Sequence, residues 1–106
     1  MANYVLLFTD RSEMPQTPEG LAAMQGAWGA WFGGLGESLV NPGGPINPMS
    51  AKVVSNGDVS AAAPDSLQTG YTIISAESMD AAVEAAKASP VHSNGGSITV
   101  LETFDM

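Results

Sequence analysis

The stretch from Gly70 to Phe104 constrains the fold most, because it reads as strand, capped helix, strand. Gly70-Tyr71-Thr72-Ile73-Ile74-Ser75-Ala76 is rich in β-formers. Ser78 follows as a helix N-cap, with Asp80 and Glu84 toward the N-terminus and Lys87 toward the C-terminus, an order that matches the helix dipole. Met79, Ala82, Val83 and Ala86 fall at i, i+3, i+4 and i+7 and form the expected inward stripe. Ser89-Pro90 ends the helix, Asn94-Gly95-Gly96 turns the chain, and Ser97 to Glu102 alternates as a final strand.

The N-terminal third repeats this plan. Asn3 to Thr9 is a nearly unbroken apolar run that fits a strand near the centre of a sheet. Thr17-Pro18-Glu19 is a helix start, with a capping hydroxyl, a proline suited to the first helical position, and an acid at the positive end of the dipole. Leu21, Met24, Trp28, Trp31 or Phe32, and Leu35 then recur at helical spacing. Gly20, Gly26, Gly29, Gly33, Gly34 and Gly36 fall in or near that helix, and each interior glycine costs about 1 kcal/mol relative to alanine. Tertiary packing must therefore hold it, and the small residues are expected to let it lie close to a sheet. Its end is expected between Gly33 and Gly36.

The middle is less regular. Leu39-Val40 begins a strand, whereas Asn41-Pro42-Gly43-Gly44-Pro45 and Asn47-Pro48 read as turns. Ala51 to Ser55 alternates as a strand, Asn56-Gly57 is a strong hairpin signal, and Asp58 to Ala61 is the second arm. Ser60 to Ser66 reads as an irregular surface segment.

Eleven acids against three bases (Arg11, Lys52, Lys87) give a net charge of −8. Such a surface repels phosphate backbones and anionic membranes, so neither nucleic acid nor membrane is expected as a partner. With no cysteine, disulfides, thiolate metal sites and a cysteine nucleophile are excluded, and with a single histidine a multi-histidine metal site could arise only across a subunit interface; no metal and no cofactor is expected. No segment reaches the ~20 apolar residues of a membrane span, and Val5 to Phe8 is too short for a signal sequence, so a cytoplasmic location is expected.

The order β, α, β with a hairpin, β, α, β describes one α+β domain over residues 1–106 with the ferredoxin-like βαββαβ plan, both helices lying on one face of an antiparallel sheet. Two helices leave the other face uncovered, so a second copy is expected as its lid, in a homodimer whose sheets pack face to face as a dimeric α+β barrel.

Tyr4-Val5-Leu6-Leu7-Phe8, the Trp28 to Gly36 stretch, Gly44-Pro45, Thr69 to Val83 and Ala88-Ser89-Pro90 together resemble the YCII-related (YciI-like) family over essentially the whole chain. The resemblance implies a dimeric α+β barrel. Some members of that family are proposed to act through a His–Asp pair, with the histidine on helix 1 and the aspartate before the proline after helix 2. Here Trp28 stands near the first place and Ser89 occupies the second, and Ala62-Ala63-Pro64-Asp65 lacks the family's Asp-Gly-Pro-Phe motif. Neither feature carries over, and catalysis is left unassigned.

His92 is the one side chain of a type that titrates near neutrality, in the loop before the last strand, with Asp10 at the end of the first strand as a group able to orient it. The ordinary role of a lone loop histidine is a solvated one, and that of Asp10 a strand-end turn. Trp28, Trp31 and Tyr71 can line an apolar cleft, though the helical spacing suits core packing better and the two roles are compatible, and Asn41 can form a rim. The glycine-rich runs lack the Lys-Ser/Thr of a phosphate loop and read as turns. Glu102 is an ordinary surface acid unless it points inward beside His92. Two functions follow. One is a homodimer that binds a small apolar or weakly acidic metabolite, with acid–base chemistry through His92. The other is a non-catalytic dimeric regulatory or interaction module.

Overall fold

The computed structural model describes residues 2–10, 15–47, 50–61 and 68–104. Among the described residues, six strands and three α-helices run in the order β1 (Ala2–Thr9), α1 (Pro18–Leu35), β2 (Leu39–Pro45), β3 (Lys52–Ser55), β4 (Asp58–Ala61), β5 (Gly70–Ala76), α2 (Met79–Lys87), α3 (Pro90–Ser93) and β6 (Ser97–Glu102), with one turn of 3-10 helix (Gly36–Ser38) between α1 and β2. Residues 62–66 of the expected irregular segment lie outside the described residues, whereas Ser60 and Ala61 belong to β4.

Four strands form one open sheet in the order β2-β5-β1-β6, every neighbouring pair antiparallel, and β3 and β4 form a separate two-stranded hairpin. The apolar run at the start of the chain is a central strand, as expected. The register sets Tyr4 opposite Ile74, Leu6 opposite both Thr72 and Val100, and Phe8 opposite both Gly70 and Ile98. Residues paired in this way share a sheet face. Tyr4, Leu6, Phe8, Thr72 and Ile74 are buried on the face that carries the helices, where they meet Trp31, Ala82, Ala86 and Val91. The chain is α+β, and its sheet does not close into a barrel.

The helix starts follow the expected chemistry. Thr17 Oγ1 accepts from the Gly20 N–H at 3.0 Å, and Ser78 Oγ accepts from the Ala81 N–H at 3.1 Å. Four expectations need correction. Asn41 to Pro45 is not a turn but the rest of β2, which absorbs Pro42 and Pro45 through two register shifts against β5, as an edge strand can. Met79 is exposed, leaving Ala82 and Ala86 as the buried stripe of α2. Residues after Pro90 make a one-turn helix rather than a loop, because Ser89 caps the His92 N–H and proline supplies the first helical dihedral.

The fourth correction concerns α1. It packs through Trp31 with Trp28, Phe32 and Leu35 beside it, while its glycines do not face the sheet. A Cβ built on Gly26, Gly29, Gly33 or Gly34 meets nothing within 4 Å. Their small size therefore serves no close approach in the chain, and their helix cost stands uncompensated. Gly29→Ala combined with Gly33→Ala is expected to stabilise the chain by roughly 1–2 kcal/mol, a rise in thermal midpoint of about 4–8 °C per kcal/mol. A midpoint that falls in thermal denaturation would mean those positions are packed after all.

The Cα extents are 42 × 41 × 19 Å. With layers about 10 Å apart, the short dimension holds one sheet and one helix layer. The radius of gyration of 15.0 Å exceeds the ~13 Å of a compact domain this long.

Candidate functional site

The helix-covered face carries an aromatic cluster. Phe8 reaches it from the centre of the sheet, and Trp28, Trp31 and Phe32 reach it from one side of α1. Ring centroids lie 5.4 Å apart for Phe8 and Trp28, 6.1 Å for Phe8 and Trp31, and 5.6 Å for Trp28 and Trp31, all three edge-on. Phe32 tilts against both tryptophans at 5.6 and 5.4 Å. Edge-on pairs set the positive rim of one ring on the negative face of another. Trp31 is buried, and its Nε1–H donates to the Ala85 carbonyl at 3.0 Å, tying α1 to α2. Trp28 is only half-buried, so the cluster is core with one margin open to water.

Tyr71 lies elsewhere. Gly70, Thr72 and Ile74 are buried under the helices, so the alternation of β5 turns Tyr71 and Ile73 to the opposite face. There Tyr71 pairs with Leu7, and Val5 pairs with both Ile73 and Leu101. The expected cleft lined jointly by Trp28, Trp31 and Tyr71 is therefore not formed within one chain, because the sheet stands between its walls. What β5 offers instead is an apolar open face of Val5, Leu7, Tyr71, Ile73 and Leu101, with Leu101 46% exposed. Among the described residues no helix covers it. The sequence hides this face because β5 is rich in β-formers on both sides.

Asn41 is exposed, and its Oδ1 accepts from the Gly43 N–H at 2.8 Å. This local bond shapes the bulge of β2. Gly43 has φ +68°, and Thr72 Oγ1 donates to the Pro42 carbonyl at 3.0 Å, locking the bulge onto β5.

Asp10 and His92 share one end of the sheet. The Asp10 N–H donates to Thr69 Oγ1 at 3.0 Å, and Thr69 donates both its N–H (2.7 Å) and its hydroxyl (3.3 Å) to the Phe8 carbonyl. Sequence reading missed Thr69, which clasps the end of β1; nothing in its local sequence marks a threonine before a strand as a clasp. His92 is exposed on α3, with its N–H held by Ser89 Oγ and its carbonyl accepting from the Gly95 N–H. Gly96 brings that loop against β1, since a Cβ there would lie 2.8 Å from the Thr9 carbonyl oxygen.

Glu102 sits at the far end of β6 from that loop, not beside His92. Its Oε1 accepts from the Tyr4 hydroxyl at 3.4 Å. Burial pushes the Tyr4 phenol above its ordinary value of 10.0, and the negative charge of Glu102 adds to the rise. Among the described residues, no group of three or more His, Asp or Glu side chains gathers as a metal site, and no helix is long and apolar enough to cross a membrane. The chain matches no protein-family model and no curated protein.

Proposed function

We propose that the chain is a ferredoxin-like homodimer of the YCII-related kind, whose paired sheets enclose a small apolar or weakly acidic metabolite. The observation that carries this reading is the apolar face of Val5, Leu7, Tyr71, Ile73 and Leu101, left without a helix layer. The strand order β2-β5-β1-β6 supports the ferredoxin-like assignment, because βαββαβ chains place their first and third core strands at the centre. A second copy stacked on that face builds a closed seam, with Tyr71 supplying both ring surface and hydroxyl to a ligand. His92 and Asp10 share one end of the sheet, but His92 stands on α3 in the helix layer and the seam lies on the opposite face, so no proton exchange with the enclosed ligand is assigned to them.

The exposure of His92 favours a second reading, a dimeric interaction module without catalysis. Sedimentation and thermal shift test both. Wild type is expected to sediment as a dimer and Leu7→Glu as a folded monomer. Aromatic carboxylates and uncharged aromatics at about 100 times their Kd are expected to add roughly 2.7 kcal/mol to wild-type stability and nothing to Leu7→Glu. A dimer that responds to no compound supports the second reading, and a wild-type monomer in dilute buffer defeats both.

A further inference from the structure

The hairpin of β3 and β4 has its own unpaired surface. Asn56 (φ +53°) and Gly57 (φ +83°) make the tight turn whose twist matches the strands. The register pairs Lys52 with Ala61, Val54 with Val59, and Val53 with Ser60. Alternation then gathers Val54, Val59, Ala61 and the Lys52 stem on one side, with Ser55, Asp58 and Ser60 on the other alongside Val53. Both strands are exposed along their whole length, and the apolar side is the more open, Val54 at 73% and Val59 at 65%. An amphipathic ribbon of two strands is only marginally stable in water unless it packs against something.

We infer that this hairpin is a dimer arm, which lays its Val54–Val59 side on the second copy of the chain at the rim of the paired sheets. This rests on the homodimer proposed above and names the element that completes its interface. Four strands about 4.8 Å apart and six to eight residues long present a face on the order of 400 Å², half of the ~800 Å² per partner in a stable interface. The sheet face alone thus falls short of a stable dimer, and the hairpin's apolar side lies ready to supply the difference. Charge agrees. Lys52 and Asp58 cancel within the arm, whereas the chain as a whole carries −8. A neutral arm reaches an acidic copy of itself without the repulsion that the rest of the surface would meet.

The test is the dimer dissociation constant, by sedimentation over a dilution series, for wild type, for Val54→Asp with Val59→Asp, and for the milder Val54→Thr with Val59→Thr. These side chains are exposed in the single chain, so far-UV circular dichroism of both variants is expected to match wild type. The aspartate pair is expected to weaken the dimer at least ~100-fold and the threonine pair about 10-fold. Wild-type affinity in both variants would overturn the arm while leaving the sheet-to-sheet dimer standing. If the aspartate pair misfolds, the threonine pair decides on the same criterion. A wild-type chain that is monomeric throughout would remove the dimer, and the arm with it.

Discussion

Trp31→Ala is expected to remove 3–5 kcal/mol of stability, the range for truncating a buried large aromatic. The indole is only 7% exposed and packs among Phe8, Trp28 and Phe32, with no other residue of α1 buried. Domains of this size hold about 5–15 kcal/mol, so the variant would stand near the edge of folding at 37 °C. Trp31→Phe separates the two contributions. It keeps a ring in the cluster and loses the N–H that reaches the Ala85 carbonyl. That carbonyl still accepts from the Ala88 N–H at 3.2 Å, so the loss is limited to about 1 kcal/mol plus a small packing defect. Urea denaturation followed by circular dichroism measures both. A Trp31→Ala midpoint close to wild type would show that α1 is held to the sheet by other contacts.

Gly43→Ala is expected to cost roughly 3 kcal/mol or more, close to the effect of losing a core side chain. Two penalties act together. The residue sits at φ +68°, where a side chain is strained, and a new Cβ would lie 2.7 Å from the Tyr71 carbonyl carbon and 2.9 Å from its ring. Backbone blocks the methyl, so rotamer change cannot relieve it. The bulge would have to lift from β5, breaking the bond from Thr72 Oγ1 to the Pro42 carbonyl. Gly44→Ala is the matched control, since a Cβ there meets nothing within 4 Å. Near-equal thermal midpoints for the two variants would refute the role assigned to Gly43. Hydrogen exchange in Gly43→Ala is expected to quicken first within Gly70–Ile74, the stretch of β5 that pairs with β2.

How legible this architecture was in the sequence can be followed element by element. β1, β5 and β6 stood out as apolar or alternating runs, and both long helices were marked by Thr17 and Ser78 with acids after them. These signals are local, because a strand's alternation and a helix cap involve neighbours within a turn or two. β2 was misread after Val40 because Asn, Pro and Gly report a turn unless a partner strand accommodates them, and that partner, β5, lies some thirty residues away. The glycines of α1 were read as a close-packing surface, since composition cannot say which side of a helix meets the sheet. Among the site residues, the spacing of Trp28 and Trp31 favoured packing over the cleft they were also offered for, and Trp31 lies in the core with Trp28 packed against it. Tyr71 was grouped with them because chemical kind, unlike sheet face, is visible in a one-dimensional string.

By itself the sequence determined the three apolar strands β1, β5 and β6, the β3–β4 hairpin and the two longer helices, and that the chain is acidic and without thiol chemistry. Those properties depend on each residue and its close neighbours. Only the tertiary structure decided that Trp31 and Tyr71 stand on opposite sides of one sheet, that Asn41 spends its oxygen on the bulge at Gly43, and that one sheet face and one hairpin side remain apolar and uncovered. Register made these decisions, since a shift of one residue between β1 and β5 would exchange the two faces.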